Sequence, residues 1–489
     1  MRRVRHDVNQ GGTVWNDTLI WYAKAVERLY ARPITDRTSW RYLAAIHGID
    51  QLGWVQAGVS ETSDPVPPTS ETDETWNQCQ HGTWYFLPWH RGYLAAFEAI
   101  VAKAVKDLGG PDEWALPYWN YLNASDPSAR DIPKAFLEEN LPDGSPNFLA
   151  KTFRNGEIRL GPTLDVPRDI TLDCQSQHRY TGAPGTLSYG GGETSFSHGG
   201  SRAGANEGNP HNLVHVMVGG IKPPYGFMSD PNYAALDPIF WVHHSNIDRL
   251  WAAWLTRPES IQENSAAWRG GPVGRGFVMP ETDGQLASFT PDDTLSGGPL
   301  EPAYDNLTSG TGISTLAVGA KSITPEVAMP AIFSDSQPPE SRVLGSNAEK
   351  IIVGQTAKLT TISIVDLGAG LLADLKSRVS RPQRYFLNLE RIRGEAPSGV
   401  LKVTISSEGG QTQMADSVAL FGLAKASATD GPHGGNGLGA TIDITQATQA
   451  ILAAGGNLEK LTVSIEQPGA SPGREITVER VSVVAQDGE

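Results

Sequence analysis

The distribution of histidine constrains this chain more than any other feature of its sequence. Histidine accounts for only 11 of the 489 residues, yet ten of the eleven precede residue 245. His211 and His215 are four residues apart, and on a helix this spacing places both imidazoles on one face, one turn apart. Two such imidazoles can bind one metal ion, which then needs a third ligand from elsewhere. The same spacing is also typical of a solvated helix face. The positions of the other histidines are therefore needed to distinguish a metal site from a solvated surface.

Two further groups of histidines supply the missing ligands. The adjacent His243 and His244 stand in an aromatic-rich segment, where an imidazole is costly to bury unless it is paired or binds a metal. Upstream, His81 and His90 follow His47. The chain therefore offers two sets of three histidines, and imidazole-only sites suit copper, zinc, iron or nickel. Neither set needs a carboxylate, which argues against hard cations and against di-iron carboxylate chemistry.

Helices are predicted around these histidines. The residues before His47 have helical composition, with Thr38 and Ser39 as suitable caps. Proline suits the first turn of a helix, so Pro210 is expected to begin the next one. Residues 125–209 are mostly Gly, Pro, Ser and Asp, which predicts long surface loops. The predicted helical segments are 42–47, 91–107, 210–218 and 244–254.

The last third of the chain has a different pattern. Residues 288–341 are rich in Gly, Pro, Ser and Thr without clear periodicity, which suggests a linker. Seven short runs rich in Val, Ile and Thr follow, and the alanine-rich segment 445–454 is expected to be helical. This pattern is typical of a β-sandwich or barrel. The predicted strands are 358–365, 384–389, 401–406, 417–420, 440–444, 461–467 and 475–484.

Two segments around the histidines resemble the copper signatures of the tyrosinase family. The first runs from His81 through Glu98, and the second runs from Asp237 through His244 to Asp248. The resemblance implies a coupled binuclear (type-3) copper centre in a four-helix-bundle core, with three histidines for each of two copper ions.

The resemblance also implies which histidines bind copper. In the doubled histidine it places the ligand at the second position, His244, and leaves His243 as an unligated neighbour. Asp248 lies one helical turn after His244, where it could accept a ring N–H and fix the tautomer of a ligand. The implied ligands are His47, His81 and His90 for one copper, and His211, His215 and His244 for the other.

Three more residues match functional positions of the family. Cys79 stands two residues before His81, the Cys-x-His arrangement that fungal and molluscan members use for a thioether bridge; the alternative is a small buried thiol. Glu207 and Asn212, on either side of His211, match a Glu and an Asn that hold a water in the family. Such a water would help a phenol to lose its proton. The alternative for Glu207 is an ordinary solvated loop carboxylate.

The end of the chain resembles the C-terminal domain of plant polyphenol oxidases. In those relatives this domain covers the active site of a latent form and inserts a side chain over the coppers, for which Phe421, Leu423 and His433 are the candidates here. The alternative is a stabilising or oligomerising β domain. The implied organisation is a mainly α dicopper catalytic domain in residues 1–305, a linker in 306–340 and an all-β, sandwich-like domain in 341–489.

The resemblance implies a copper-dependent phenol oxidase that uses O₂ to ortho-hydroxylate monophenols and to oxidise o-diphenols to o-quinones. A catechol-only or o-aminophenol oxidase of the same family has the same ligands. A haemocyanin-like O₂-binding protein is the alternative from a different class, but such carriers are large repeated assemblies, and a single copy favours an enzyme. A zinc hydrolase is disfavoured because neither ligand set contains a carboxylate as a general base.

Charge and composition limit the partners. The net charge of −15 argues against nucleic acid, which needs Lys and Arg at its phosphates. No apolar stretch approaches the roughly 18 residues that span a bilayer, so no membrane is expected. Asp7 and Asn9 stand where a signal core would begin, which predicts a cytoplasmic location. The expected ligands are small phenols and O₂; compatible macromolecular partners are a second copy of the chain or a copper-delivery protein.

Overall fold

Two separate hydrophobic cores organise the chain. The computed structural model describes residues 3–197, 199–308, 332–334, 337–354, 356–364, 383–408, 412–429, 435–469 and 474–487. The first core is built mainly from helices and aromatic side chains, and the second is built from strands. The predicted combination of a mainly helical domain and a C-terminal β domain is confirmed.

Helices form most of the first core. One of them, α1 (Asp17–Tyr30), was not predicted. Asn16 caps this helix by accepting the N–H of Leu19 at 3.0 Å, and the helix packs against α5 (Phe86–Asp107). Across the described ranges, each helix is too short or too polar to cross a membrane. The helices are α1 (Asp17–Tyr30), α2 (Trp40–His47), α3 (Gln51–Gln56), α4 (Thr69–Thr75), α5 (Phe86–Asp107), α6 (Leu213–Gly219), α7 (Pro238–Trp254) and α8 (Ala266–Arg269).

The two long helices that carry metal-site histidines begin earlier than predicted. α5 begins at Phe86, and α7 begins at Pro238. Asp237 caps α7, because its side chain accepts a backbone N–H of the first turn at 3.1 Å, and proline needs no N–H partner at this position. His243 and His244 therefore lie inside α7 and not at its start.

The segment around His211 departs from the predicted regular helix. Residues 207–212 form a wider turn in which Asn209 is extended, with φ −149° and ψ 118°. The following Pro210 explains this conformation, because a proline ring disfavours the helical conformation of the residue before it. The turn still keeps the rings of His211 and His215 together, with their centroids 4.6 Å apart.

Short strands join distant parts of the first domain. β1 pairs with β5 in parallel, β2 pairs with β6 in parallel, and β3 and β4 form an antiparallel pair. The first pairing fixes the start of the chain beside residues 303–304. These strands are β1 (Val4–Arg5), β2 (Ile261–Glu263), β3 (Phe277–Pro280), β4 (Leu286–Phe289), β5 (Ala303–Tyr304) and β6 (Ile332–Ser334).

The second core lies between two sheets. One sheet has the order β13-β10-β15-β7, with β8 also paired to β15, and the other has the order β12-β11-β14-β9. The strands are β7 (Ser341–Ser346), β8 (Ile351–Val353), β9 (Lys358–Ser363), β10 (Arg384–Arg393), β11 (Val400–Ser407), β12 (Gln413–Ala419), β13 (Leu438–Asp443), β14 (Lys460–Glu466) and β15 (Ile476–Gln486).

Side chains from both sheets meet in this core, as expected for a sandwich. Leu387 and Val483 come from one sheet, and Val403 and Val463 come from the other. Burial alternates along β14, as the two-residue period of a strand requires. Two short helices complete the domain: α9 (Leu423–Ser427) and α10 (Thr445–Ala453), the second of which was predicted.

The β domain packs directly against the helical domain. Phe421 leaves the β domain and joins the hydrophobic core of the helical domain. Arg168 of the helical domain forms an ion pair with Asp416, and Ser398 Oγ donates to the carbonyl of Gly220 at 2.9 Å. The β domain thus contacts the helical domain through apolar, ionic and hydrogen-bonding groups.

Candidate metal centre

The six histidines of the two predicted sets converge inside the helical domain. Within each set, the ring centroids of any two members lie between 4.6 and 5.8 Å apart. The two sets meet where the rings of His90 and His244 stack, with centroids 4.5 Å apart. All six side chains are buried. One set comprises His47, His81 and His90, and the other comprises His211, His215 and His244.

Four helices and two turns position these side chains. His47 is the last residue of α2, His90 lies in the second turn of α5, His215 lies in α6 and His244 lies in the middle of α7. His81 precedes α5, and His211 belongs to the wide turn before α6. Ligands on different helices need the packed core to bring them together.

Backbone carbonyls hold three of the imidazoles in place. A carbonyl oxygen only accepts, so the ring nitrogen that faces it carries the proton. In each case this nitrogen is Nδ1, which leaves the lone pair on Nε2 for a metal ion. The bonds run from His47 Nδ1 to Pro231 O (2.9 Å), from His90 Nδ1 to Phe86 O (2.8 Å) and from His215 Nδ1 to Met228 O (2.7 Å).

The Nε2 atoms fit a pair of metal ions. Those of His47, His90 and His211 are buried and have no hydrogen-bond partner, and those of His215 and His244 lie 3.3 Å from each other. Buried nitrogen atoms without a partner are costly, and a bound metal would satisfy them. In the described part of the chain, the groups able to hold a metal are His211, His215, His243 and His244, and His47, Cys79 and His81.

Burial keeps the imidazoles neutral. It lowers the pKa of His90 and of His215 to about 3, and lowers the pKa of His47, His211 and His244 well below the usual value. The cause is the loss of water around the charged form, to which neighbouring imidazoles add repulsion at every one of these residues except His215. A metal binds the neutral ring, so the site does not need to expel protons before it binds.

Cys79 lies beside the ligand that the predicted thioether would involve. Its Sγ is 3.3 Å from Nδ1 of His81, and both side chains are buried. Burial raises the pKa of the Cys79 thiol. The sulfur is therefore placed against the imidazole ring to which the predicted bridge would be made.

His243 belongs to the same cluster as the second set. Its ring stacks on His211, with centroids 5.5 Å apart and an angle of 21° between the planes. Tyr121 Oη lies 3.4 Å from its Nδ1, and Nε2 of His243 is buried without a hydrogen-bond partner. His244 instead points its Nε2 at His215. The two adjacent histidines therefore have different environments.

The predicted role of Asp248 in holding a ligand tautomer is wrong. Its carboxylate accepts from Arg91 Nε at 2.6 Å, from Arg5 Nη1 at 3.0 Å and from Tyr304 Oη at 2.6 Å. Two buried guanidinium groups need a carboxylate more than a neutral imidazole does. Nδ1 of His244 has no hydrogen-bond partner. Asp248 joins α7 to α5 and to the start of the chain.

Arg5 extends this network. Its Nε donates to Glu98 Oε2 at 2.6 Å and its Nη1 donates to Tyr304 Oη at 2.8 Å, so Glu98 pairs with Arg5 and not with Arg91 on its own helix. Because β1 pairs with β5, Arg5 and Tyr304 are adjacent across the strands. The network lies behind α5 and α7, where it fixes the helices that carry His90 and His244.

Glu207 is buried against the metal centre and is not a solvated loop carboxylate. Only 3% of its surface is exposed, and its Oε1 accepts the N–H of Gly82 at 2.7 Å. Oε2 is buried and has no hydrogen-bond partner. Burial raises the pKa of the carboxyl to about 8, because its charged form has lost water.

Asn212 lies close to Glu207 and beside His211. Its Oδ1 is 2.9 Å from Nδ1 of His211, which therefore donates to it. Glu207, Asn212, His81 and Phe421 line a cavity of about 30 Å³. A cavity of this size holds a single water molecule when polar groups are available to bind it.

Phe421 covers the metal centre from the β domain. Its ring stacks on His215, with centroids 3.9 Å apart and 17° between the planes, and it lies 5.5 Å from the ring of His81. Leu423, a second predicted candidate, packs in the core of the β domain. His433, the third, lies outside the described residues.

Sequence reasoning missed the backbone carbonyls that orient the imidazoles. For His90 a signal was available, because its partner Phe86 lies four residues earlier on the same helix, within reach of Nδ1. The carbonyls of Pro231 and Met228 could not be predicted in this way. Every residue type has a carbonyl group, and neither of these two lies one helical turn from the histidine that it holds.

Two family models match separate parts of the chain. A model described as the common central domain of tyrosinase matches residues 37–257. A second model, described as a domain of unknown function, matches residues 340–486. The first range contains all six converging histidines, and the second contains Phe421.

Individual proteins are similar to nearly the whole chain. The tyrosinase HcTyr1 of Hahella sp. (strain CCB-MM4) is 34% identical over 449 residues, which cover 88% of this chain and 88% of that protein. The solved structure of a latent aurone synthase (polyphenol oxidase) covers 100% of this chain and 90% of that one, with a TM-score of 0.60 and 18% identity. A latent apple tyrosinase covers 99% and 97%, with a TM-score of 0.59 and 19% identity. At these identities the two structures show a shared fold.

Proposed function

The chain belongs to the tyrosinase family, and we propose that it ortho-hydroxylates monophenols, oxidises o-diphenols to o-quinones, and does so only when its C-terminal domain uncovers the site. The family is one of oxidoreductases with a type-3 dicopper centre, and phenol oxidation is its general activity. The hydroxylation step, the individual ligands and the covering role of the C-terminal domain are the parts that we infer.

We assign the copper ions to the two sets of three histidines, so that α2, α5, α6 and α7 form a four-helix core around them. The orphaned Nε2 atoms support this assignment. Nε2 of His243 is also buried without a hydrogen-bond partner. Within the adjacent pair we choose His244, because its Nε2 faces Nε2 of His215 at 3.3 Å and because the resemblance to the copper signature places the ligand at this second position.

The position of Phe421 indicates where a substrate ring binds. When bound, the copper pair supplies oxygen activation and accepts two electrons from a catechol. A flat aromatic ring stacked on His215 at 3.9 Å fills the space in which a phenol would meet that pair. The protein therefore contributes a stacking surface for the substrate, and Phe421 occupies it in the closed form.

One observation carries the hydroxylation step: the buried Glu207 carboxyl with its unpartnered Oε2 beside a water-sized cavity. A monophenol must lose its hydroxyl proton before it is hydroxylated. A water held between Glu207 and Asn212 would take that proton. Burial raises the pKa of Glu207 to about 8, so its ionised form is a stronger base than an ordinary carboxylate. Only this ionised form can accept the proton, and its share increases as the pH rises towards 8.

The experiment is to measure O₂ consumption and quinone formation with tyramine and with catechol. It uses the copper-loaded full chain and its Phe421→Ala variant, which removes the covering ring. We expect turnover of both substrates by the variant. Turnover of catechol alone would contradict the hydroxylation step and identify a catechol-only oxidase. Reversible O₂ binding without turnover of either substrate would identify a carrier.

A further inference from the structure

Lys425 is a charged side chain of the β domain that reaches into the helical domain. It lies on α9, four residues after Phe421. Its Nζ donates to Oδ1 of Asn77 at 2.8 Å and to Oδ1 of Asn232 at 2.5 Å. Burial lowers the pKa of this ammonium to about 8. An ammonium group leaves water at low cost only where acceptors replace its hydration.

Contacts of the helical domain position the acceptor oxygen of Asn77 and the backbone of Asn232. Oδ1 of Asn77 also accepts the N–H of Ile49 at 3.1 Å. The backbone of Asn232 is fixed at both ends, because its N–H donates to Asp230 at 2.8 Å and its carbonyl accepts from Trp54 Nε1 at 2.7 Å. Contacts of the helical domain therefore contribute to this arrangement, and Lys425 adds a hydrogen bond to each Oδ1 atom.

Space and charge at this position also suit an ammonium group. A Cβ on Gly48 would lie 2.5 Å from the carbonyl oxygen of Pro231 and 2.9 Å from Nζ of Lys425, so the absence of a side chain there leaves room for both groups. The carboxylates of Asp50 and Asp230 act on Lys425 electrostatically and favour its charged form. These features describe a cleft that selects a small, positively charged group.

We propose that the helical domain contains a binding site for a primary ammonium group, formed by Asn77 and Asn232, and that Lys425 occupies it. This inference rests on the proposed function in one respect, that the β domain is the cover of a catalytic centre. The ammonium site fixes the position of the β domain over the metal centre. A stacked ring can slide over its partner at little cost, so stacking alone does not fix the position of Phe421. The two charge-assisted hydrogen bonds of Lys425, four residues later, determine where the ring lies over His215.

The site also lies next to the metal centre, between the loop that carries His81 and the loop whose backbone holds His47. Asn77 lies two residues before Cys79, and Asn232 follows Pro231, whose carbonyl holds His47. Occupation by Lys425 therefore stabilises the surroundings of one copper set while the β domain is docked.

The test is hydrogen exchange of the copper-loaded full chain without substrate, followed by mass spectrometry in segments 76–82 and 229–233. Lys425→Met removes the charge and should speed exchange in both segments by about tenfold or more, since hydrogen bonds to a charged group contribute about 1.5–3 kcal/mol. Lys358→Met is the matched control, because Lys358 is exposed on β9. It should leave both segments unchanged.

A second variant gives an effect of the opposite sign. Asn232→Asp places a carboxylate against the ammonium, so exchange should slow when Lys425 is present. The same change in the Lys425→Met background should speed exchange, because the new carboxylate has lost its partner. Equal exchange in Lys425→Met and Lys358→Met, or an effect of Asn232→Asp that does not depend on Lys425, would overturn the proposal. The readout needs no turnover, so a failure of the proposed oxidase activity would be seen separately.

Discussion

The aromatic ring of Phe421 stacks on the imidazole of His215, with centroids 3.9 Å apart and planes 17° from parallel. The two residues belong to different domains, and the contact closes the space above the two histidine sets. A C-terminal domain that only stabilised the fold would not need to place a ring against a metal ligand. This contact supports the proposal that the β domain controls access to the metal centre.

Removing the ring should activate the full chain. Phe421→Ala opens the stacking surface, and we expect the rate of catechol oxidation to rise about tenfold, the effect of losing an aromatic contact of about 1.5 kcal/mol. Quinone formation at a fixed copper content measures it. Phe153→Ala is the control, because Phe153 is 46% exposed. Equal rates in the two variants would show that Phe421 does not restrict access.

Glu207→Gln should separate the two activities. The amide cannot take a proton from a bound water, so tyramine hydroxylation should fall about 100-fold, whereas catechol oxidation should fall much less. Initial rates with both substrates test this, with Glu193→Gln as a control at an exposed carboxylate. Equal losses with both substrates would argue against the water-holding role.

The raised pKa of Glu207 also predicts a pH dependence of stability in the metal-free protein. A carboxyl whose pKa is about 8 when folded and near 4.5 when unfolded stabilises the fold at low pH. This contribution is lost as the pH rises from about 4.5 to about 8. The wild type should therefore lose stability between pH 5 and pH 9 relative to Glu207→Gln, which does not titrate. The Tm of the variant minus that of the wild type should increase by several degrees over this range. A difference that does not change with pH would show that the carboxyl is not buried as described.

Asp248→Asn should destabilise the fold without removing copper. Arg91 and Asp248 are both 2% exposed, and the substitution leaves a buried guanidinium without its carboxylate. We expect the free energy of unfolding to fall by about 3–5 kcal/mol. Urea denaturation measures the loss, and copper analysis of the folded variant should match wild type.

The matched control for this prediction is an exposed ion pair. Lys103 and Asp107 are four residues apart on α5, and about half of each side chain is exposed. Asp107→Asn should leave stability almost unchanged, because water already solvates both charges. A loss of copper from the folded Asp248→Asn variant would contradict the prediction and show that the network of Asp248 also positions the histidines on α5 and α7.

The two histidine sets were predicted from the resemblance of two segments to the copper signatures of the family, and the structure brings these six side chains together. The role of Asp248 could not be predicted, because its partners Arg5 and Tyr304 are 243 and 56 residues away and the position next to His244 suggested a simpler bond. The sequence analysis predicts α7 from residue 244, whereas the helix begins at Pro238. The signal for the earlier start is Asp237 followed by Pro238, a typical N-cap and first helical residue.

The choice of covering residue depended on tertiary structure. Phe421 and Leu423 are two residues apart and both apolar, so composition does not distinguish them. Only the fold shows that Leu423 packs inside the β domain while Phe421 joins the helical core. Lys425 had no sequence signal either, since a lysine on a short helix is normally solvated.

Copper stoichiometry of the purified full chain tests the central claim most directly. Six imidazoles in two sets should hold two copper ions per chain. Substitution of His244 by Asn should reduce this to one, and substitution of His243 by Asn should leave it at two. One copper per wild-type chain, or loss of a copper in the His243 variant with retention in the His244 variant, would contradict the account.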